Sequence, residues 1–161
     1  MKSVLISIHP RWCELIASGK KTVEVRKTKP KIPTPFKCYI YQTKKTWIYD
    51  IYSRIADWQG KVIGEFVCDA IITDKTFGHD DMFNTAACLT APEIAAYFIN
   101  NEMYGWHISS LAIYDKPKEL GTFNKADFIC PRGIQKENCV GCWECQIIRA
   151  PQSWCYVEEI S

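Results

Sequence analysis

Residues 60–73 carry the strongest strand signal in the chain, with Val62, Ile63, Phe66, Val67, Ile71 and Ile72 gathered around Gly60 and Gly64. A run so rich in β-branched and aromatic residues predicts a strand, and a glycine inside it predicts a bulge or bend. A strand that bends lets its sheet curl, and a small barrel needs that curl in order to close.

The remaining elements follow from periodicity. Residues 2–8 read as a first strand, and Pro10 suits the opening turn of a helix on which Trp12, Cys13, Leu15 and Ile16 recur at helical spacing. Gly19 is placed to end that helix in the left-handed conformation and release the chain into a strand over residues 21–26. Pro30, Pro33 and Pro35 among Lys27, Lys29 and Lys31 predict an extended basic loop. Residues 36–42 alternate, with Cys38 and Ile40 on one face and Tyr39 and Tyr41 on the other. Thr90 and Glu93 form a capping box before a helix to residue 100. Residues 105–114 and 154–160 read as further strands. Many strands and two clear helices predict an α+β fold, a curved mixed sheet or small barrel flanked by helices.

The 161 residues fit one domain, and an apolar fraction of 47% is that of a folded soluble protein. No stretch approaches the roughly 20 apolar residues of a membrane span, and residues 4–8 are too short for a signal peptide, so the expected location is the cytoplasm. The net charge of +2 conceals an asymmetry. Up to Arg54 there are 12 Lys or Arg against 3 Asp or Glu; beyond it there are 8 against 15. Such a chain either presents a basic face to phosphates or pairs its two halves across the fold. Trp47, Tyr49, Tyr52 and Trp58, with Lys44, Lys45 and Arg54 nearby, suit either base stacking or a core.

Nine cysteines without a secretory signal read as thiols or metal ligands in preference to disulfides. Cys13, Cys38, Cys68 and Cys88 sit among apolar neighbours and read as small buried hydrophobes. Cys139, Cys142 and Cys145 have overlapping CxxC spacings that let thiolates converge on one ion, with Cys130 as a fourth ligand. Structural Zn2+ is the expected occupant, iron–sulfur and free thiols being the alternatives. Four thiolates leave no open position for chemistry.

Between the first helix and the second strand, Gly19, Lys21, Glu24 and Arg26 spell GxKxxExR. Thr22, Glu24 and Arg26 share one face of the strand, and Val23 and Val25 the other. Arg26 offers a planar fork for phosphate or carboxylate, Lys21 a point charge able to lose its proton when desolvated, and Glu24 an acceptor for amino or hydroxyl groups. The same three groups also suit an ion pair that merely holds the helix–strand junction. A nearby Arg26 lowers the lysine pKa and a nearby Glu24 raises it, so the two neighbours act in opposite directions.

In this setting the motif resembles that of the ASCH family of the PUA-like superfamily. Residues 60–74 resemble the family's central strand. Residues 104–120, with Trp106-His107 and Lys116-Pro117, resemble its later strand and following turn, and residues 150–157 resemble phage-borne and Firmicute members. The resemblance implies one PUA-like domain over residues 1–161, a small mixed β-barrel flanked by helices, with a Cys-rich insertion at about 130–146. It implies a cleft lined by Lys21, Glu24 and Arg26, and RNA or a nucleotide as partner. Gly19 and Ser153 join the expected ligand-binding set, Ser153 through a last strand that closes near the motif. The alternative is a hydrolase acting on RNA or a modified nucleoside, with Lys21 as essential catalyst and Glu24 as general base. In the amidohydrolase branch, which removes the acyl group from an acylated cytidine, a threonine nucleophile stands where this chain has Glu24. That replacement favours recognition over acyl-group removal. His9 and His107 are weaker acid–base candidates.

Overall fold

Six strands form one sheet in the order β2-β5-β4-β3-β1-β6. The computed structural model describes residues 1–44, 55–73, 81–98, 102–133 and 142–160. The strands are β1 (Lys2–Ile8), β2 (Val23–Arg26), β3 (Phe36–Gln42), β4 (Val62–Ile72), β5 (Tyr104–Lys118) and β6 (Trp154–Glu158), with helices α1 (Pro10–Ala17), α2 (Asp81–Ala87) and α3 (Ala91–Phe98). β1 and β3 run parallel, while the other pairs are antiparallel. The sheet curls into a half-barrel of the expected α+β, PUA-like type.

The curl begins where the inner glycine predicted it. Tyr41 pairs with Val62 and Ile40 with Gly64, so Ile63 is an extra residue on β4. That bulge shifts the alternation. Ile63 and Phe66, three apart, both enter the core formed by Val4, Ile6, Ile8, Cys38, Ile40, Cys68, Trp106 and Ile108, against which Cys13 and Ile16 of α1 pack. Leu5, Tyr39, Tyr41 and Val62 face the other way, under Phe123 and Ile147. The alternation of β3 is thus as its sequence indicates.

Three expectations change. The second strand starts at Val23, because the Lys21 N–H still bonds back to Leu15 O at 2.9 Å. The expected turn at Lys116-Pro117 lies inside β5. Among the described residues β2 pairs only with Tyr104–His107 and no other strand bonds that edge of β5, so a proline lacking its N–H is tolerated beyond it. Finally, α2 is an additional helix. It lays Phe83 and Ala87 over Val23 and Val25, with Ile94 of α3 and Met103 completing this small core. The Thr90–Glu93 cap is present, Glu93 Oε2 accepting from both the N–H and the hydroxyl of Thr90 at 2.8 Å. Among the described residues no helix is long and apolar enough to cross a membrane.

Candidate functional site

α1 ends at Gly19, whose φ of +74° and N–H bond to Ile16 O turn the chain toward β2. Gly19 therefore shapes the junction from behind. Thr22 N–H then bonds Ala86 O, and the Lys21 ammonium donates to Ala87 O at 2.6 Å. The C-terminal carbonyls of α2 thus anchor the motif's lysine, a favourable place for a cation.

Lys21 and Glu24 are 3% and 5% exposed. Lys21 Nζ lies 3.4 Å from Glu24 Oε2, and Arg26 Nη2 lies 2.9 Å from Glu24 Oε1. One carboxylate is held between two cations. Lys21 also rests over the Trp12 ring, 5.0 Å from its centroid. Arg26 reaches further: Nη2 donates to Ser7 O at 2.6 Å and Nη1 to Ser153 Oγ at 3.4 Å, while its Nε is buried without a partner among the described residues. Burial holds the Lys21 ammonium below its ordinary pKa, Glu24 acting in the opposite direction. Desolvation decides the balance that the sequence left open.

A cavity of about 550 Å³ opens beside this triad. Lys21, Glu24 and Arg26 line it together with Trp12 and Leu89, and its wall also includes Ser7, His9, Tyr41, Thr43, Lys44 and Gln152. His9 follows β1 directly, and Thr43 and Lys44 follow β3. Parallel neighbours deliver their carboxyl ends to the same place, which is where open sheets with parallel strands commonly hold ligands. Residue order alone missed Tyr41, Thr43 and Gln152, and placed Lys44 with the aromatics after β3. The β1–β3 parallel pairing is the signal that locates them.

Other candidates lie apart. His107 Nδ1 sits 2.6 Å from Asp69 Oδ1 on the exposed sheet surface, holding the Asp69 carboxyl below its usual range. Trp106 is fully buried, edge-to-face with Phe36. Trp47, Tyr49 and Tyr52 fall outside the described residues, and Trp58 packs against the core. The two charge halves do pair: Lys2 with Asp127, Arg11 with Glu93, and Lys37 with both Glu65 and Glu159.

Cys13, Cys38 and Cys68 are buried as expected, whereas Cys88 is half-buried, its thiol turned to Lys20 O. In the Cys-rich segment, Arg132 Nη2 donates to Cys142 Sγ at 3.1 Å and its guanidinium also bonds Cys130. Cys145 Sγ donates to Cys142 O at 2.9 Å. Cys139 lies outside the described residues, and among those described no group of three His, Cys, Asp or Glu is arranged to hold a metal. A guanidinium stands beside two of the expected ligands, Cys130 and Cys142.

A family model described as the ASCH domain matches residues 6–145. The crystal structure of ASCH from Zymomonas mobilis is similar, with a TM-score of 0.64 at 19% identity over 98% of this chain and 88% of that one. A tyrosine-to-phenylalanine mutant of the Zymomonas protein gives 0.63 at 19% identity over 99% and 92%, and a serine-to-alanine mutant 0.59 at 20% over 98% and 89%. At such identities the likeness shows a common fold. No curated protein matches the chain.

Proposed function

The chain belongs to the ASCH domain family, and from that premise we propose that it binds RNA or a nucleotide in the cleft beside Lys21, Glu24 and Arg26. One observation carries the reading: three cations, Lys21, Arg26 and Lys44, line a single cavity against one carboxylate, Glu24. A concave site with surplus positive charge and aromatic neighbours, Trp12 and Tyr41, suits an anionic ligand with a flat base. Anisotropy titration of a labelled single-stranded oligoribonucleotide tests it. Affinity should fall as salt rises, with a log–log slope of about −0.7 for each phosphate neutralised. Absence of binding at low salt, or binding indifferent to salt, would overturn the proposal.

One observation favours the hydrolase reading, namely the lowered pKa of Lys21. Against it, the ammonium is engaged by Ala87 O, Glu24 and the Trp12 ring, and a catalytic lysine would have to leave all three. Incubation with acylated nucleosides and labelled RNA separates the two readings. Turnover that is lost in Lys21→Ala would favour hydrolysis, and none in the wild type would leave recognition.

A further inference from the structure

The three cations of the cleft are not equivalent. The donors of Lys21 face Ala87 O, Glu24 and an indole ring, and Arg26 is bound to Glu24, Ser7 O and Ser153. Both charges are balanced or directed within the protein. Lys44 lines the same cavity, is exposed, and meets no carboxylate among the described residues.

Its stem is nevertheless placed. Lys44 lies along Gly60: a Cβ there would come 2.8 Å from Lys44 Cε and 3.3 Å from Cγ. Gly60 has φ +82°, which favours glycine, and the turn that holds it is tied to β3 by Gly60 N–H donating to Gln42 O at 2.8 Å and Gln42 N–H donating to Lys61 O at 2.9 Å. The missing side chain leaves a bed for the methylenes, and Lys44 lines the cavity next to Thr43.

Resting on the reading of the cleft as a nucleotide site, we propose that Lys44 is its phosphate-binding residue, and that the ligand class is therefore a phosphorylated nucleoside unit and not a free nucleoside. A lysine ammonium is a point charge suited to a phosphate oxygen, and the neighbouring Thr43 hydroxyl supplies a neutral donor. Lys21 and Arg26 maintain the cleft, while Lys44 reads the anion.

Calorimetric titration of the wild type, Lys44→Gln and Lys44→Arg tests this with the four common ribonucleosides, their 5′-monophosphates and the four homodinucleotides, whose single phosphate is an internal diester. The wild type should prefer a phosphorylated probe over its nucleoside by about tenfold or more, the range of one charge-assisted contact. Lys44→Gln should abolish that preference with nucleoside affinity unchanged, and Lys44→Arg should retain most of it. A preference confined to dinucleotides would assign the phosphate to RNA, and one confined to monophosphates to a free nucleotide. Wild-type binding without preference, or a preference that survives in Lys44→Gln, would overturn the role of Lys44 alone. A wild type that binds none of the probes and no RNA would overturn the cleft reading as well. Because Lys44 is exposed, both variants should melt with the wild type, which checks that any loss is local.

Discussion

Arg26 on β2, at one edge of the sheet, donates through Nη2 to the carbonyl of Ser7 on β1, next to the strand at the other edge, at 2.6 Å. The motif arginine therefore closes the curl. Trp154 Nε1 to Thr28 Oγ1 at 3.0 Å and Lys31 N–H to the Tyr156 hydroxyl at 2.6 Å continue the seam. Arg26→Ala removes one partner of a buried ion pair and the closing bond together, so unfolding in urea should show a loss of about 3–5 kcal/mol. Arg26→Lys, lacking the fork, should recover only part of it.

Glu24→Gln keeps the shape and leaves two buried cations without their anion, with an expected loss of about 3 kcal/mol at neutral pH. The pH dependence has a definite sign. Lys21 titrates lower in the folded protein than its ordinary 10.5, so between the two values the unfolded chain binds more protons and stability rises with pH. Removing Glu24 removes what raises the lysine pKa and widens that window downward. The deficit against wild type should therefore shrink as pH rises from neutrality toward 10.5. A constant deficit would mean that Lys21 keeps its proton throughout.

The strands were legible because their side chains alternate locally: the pairs Cys38–Ile40 and Tyr39–Tyr41 separate onto two faces as read, and the glycine-marked bend of β4 is a bulge at Ile63. The site was half legible. GxKxxExR announced three charged groups together, but their mutual satisfaction depends on Ala87 O and Ser7 O, carbonyls distant in sequence that no local pattern reveals. α2 escaped for a related reason. It is only seven residues long, and it is stabilised chiefly by Phe83 and Ala87 packing on β2.

Phe83→Ala should show what that unnoticed helix does. Phe83 is buried over Val23 and Val25, and its truncation should cost about 3–4 kcal/mol. It should also loosen the α2 carbonyls at the motif, so the amide of Thr22, which bonds Ala86 O, should exchange faster with solvent than in the wild type, while that of Tyr39 in the sheet centre should not. Uniform acceleration across both would contradict a local anchor.

Burial pushes the Cys68 thiol up to about 12 and the Cys155 thiol to about 11, and places Cys13 and Cys38 well above 9.0. A thiol whose folded pKa exceeds its unfolded one contributes stability that is complete below 9.0 and lost as pH climbs through the folded values. Stability should therefore decline from pH 9.0 upward, four thiols outweighing the opposite trend of Lys21. Iodoacetamide at about pH 8 should modify these four far more slowly in native than in unfolded protein, as counted by mass spectrometry.

The most direct test of the account is amide NMR of the 15N-labelled chain titrated with a short single-stranded oligoribonucleotide at low salt. The predicted result is saturable shifts concentrated at His9, Thr43, Lys44 and Gln152 around the cavity, with the exposed His107–Asp69 surface unmoved. Shifts centred on that surface, or none at all, would contradict the assignment of this cleft as the RNA or nucleotide site.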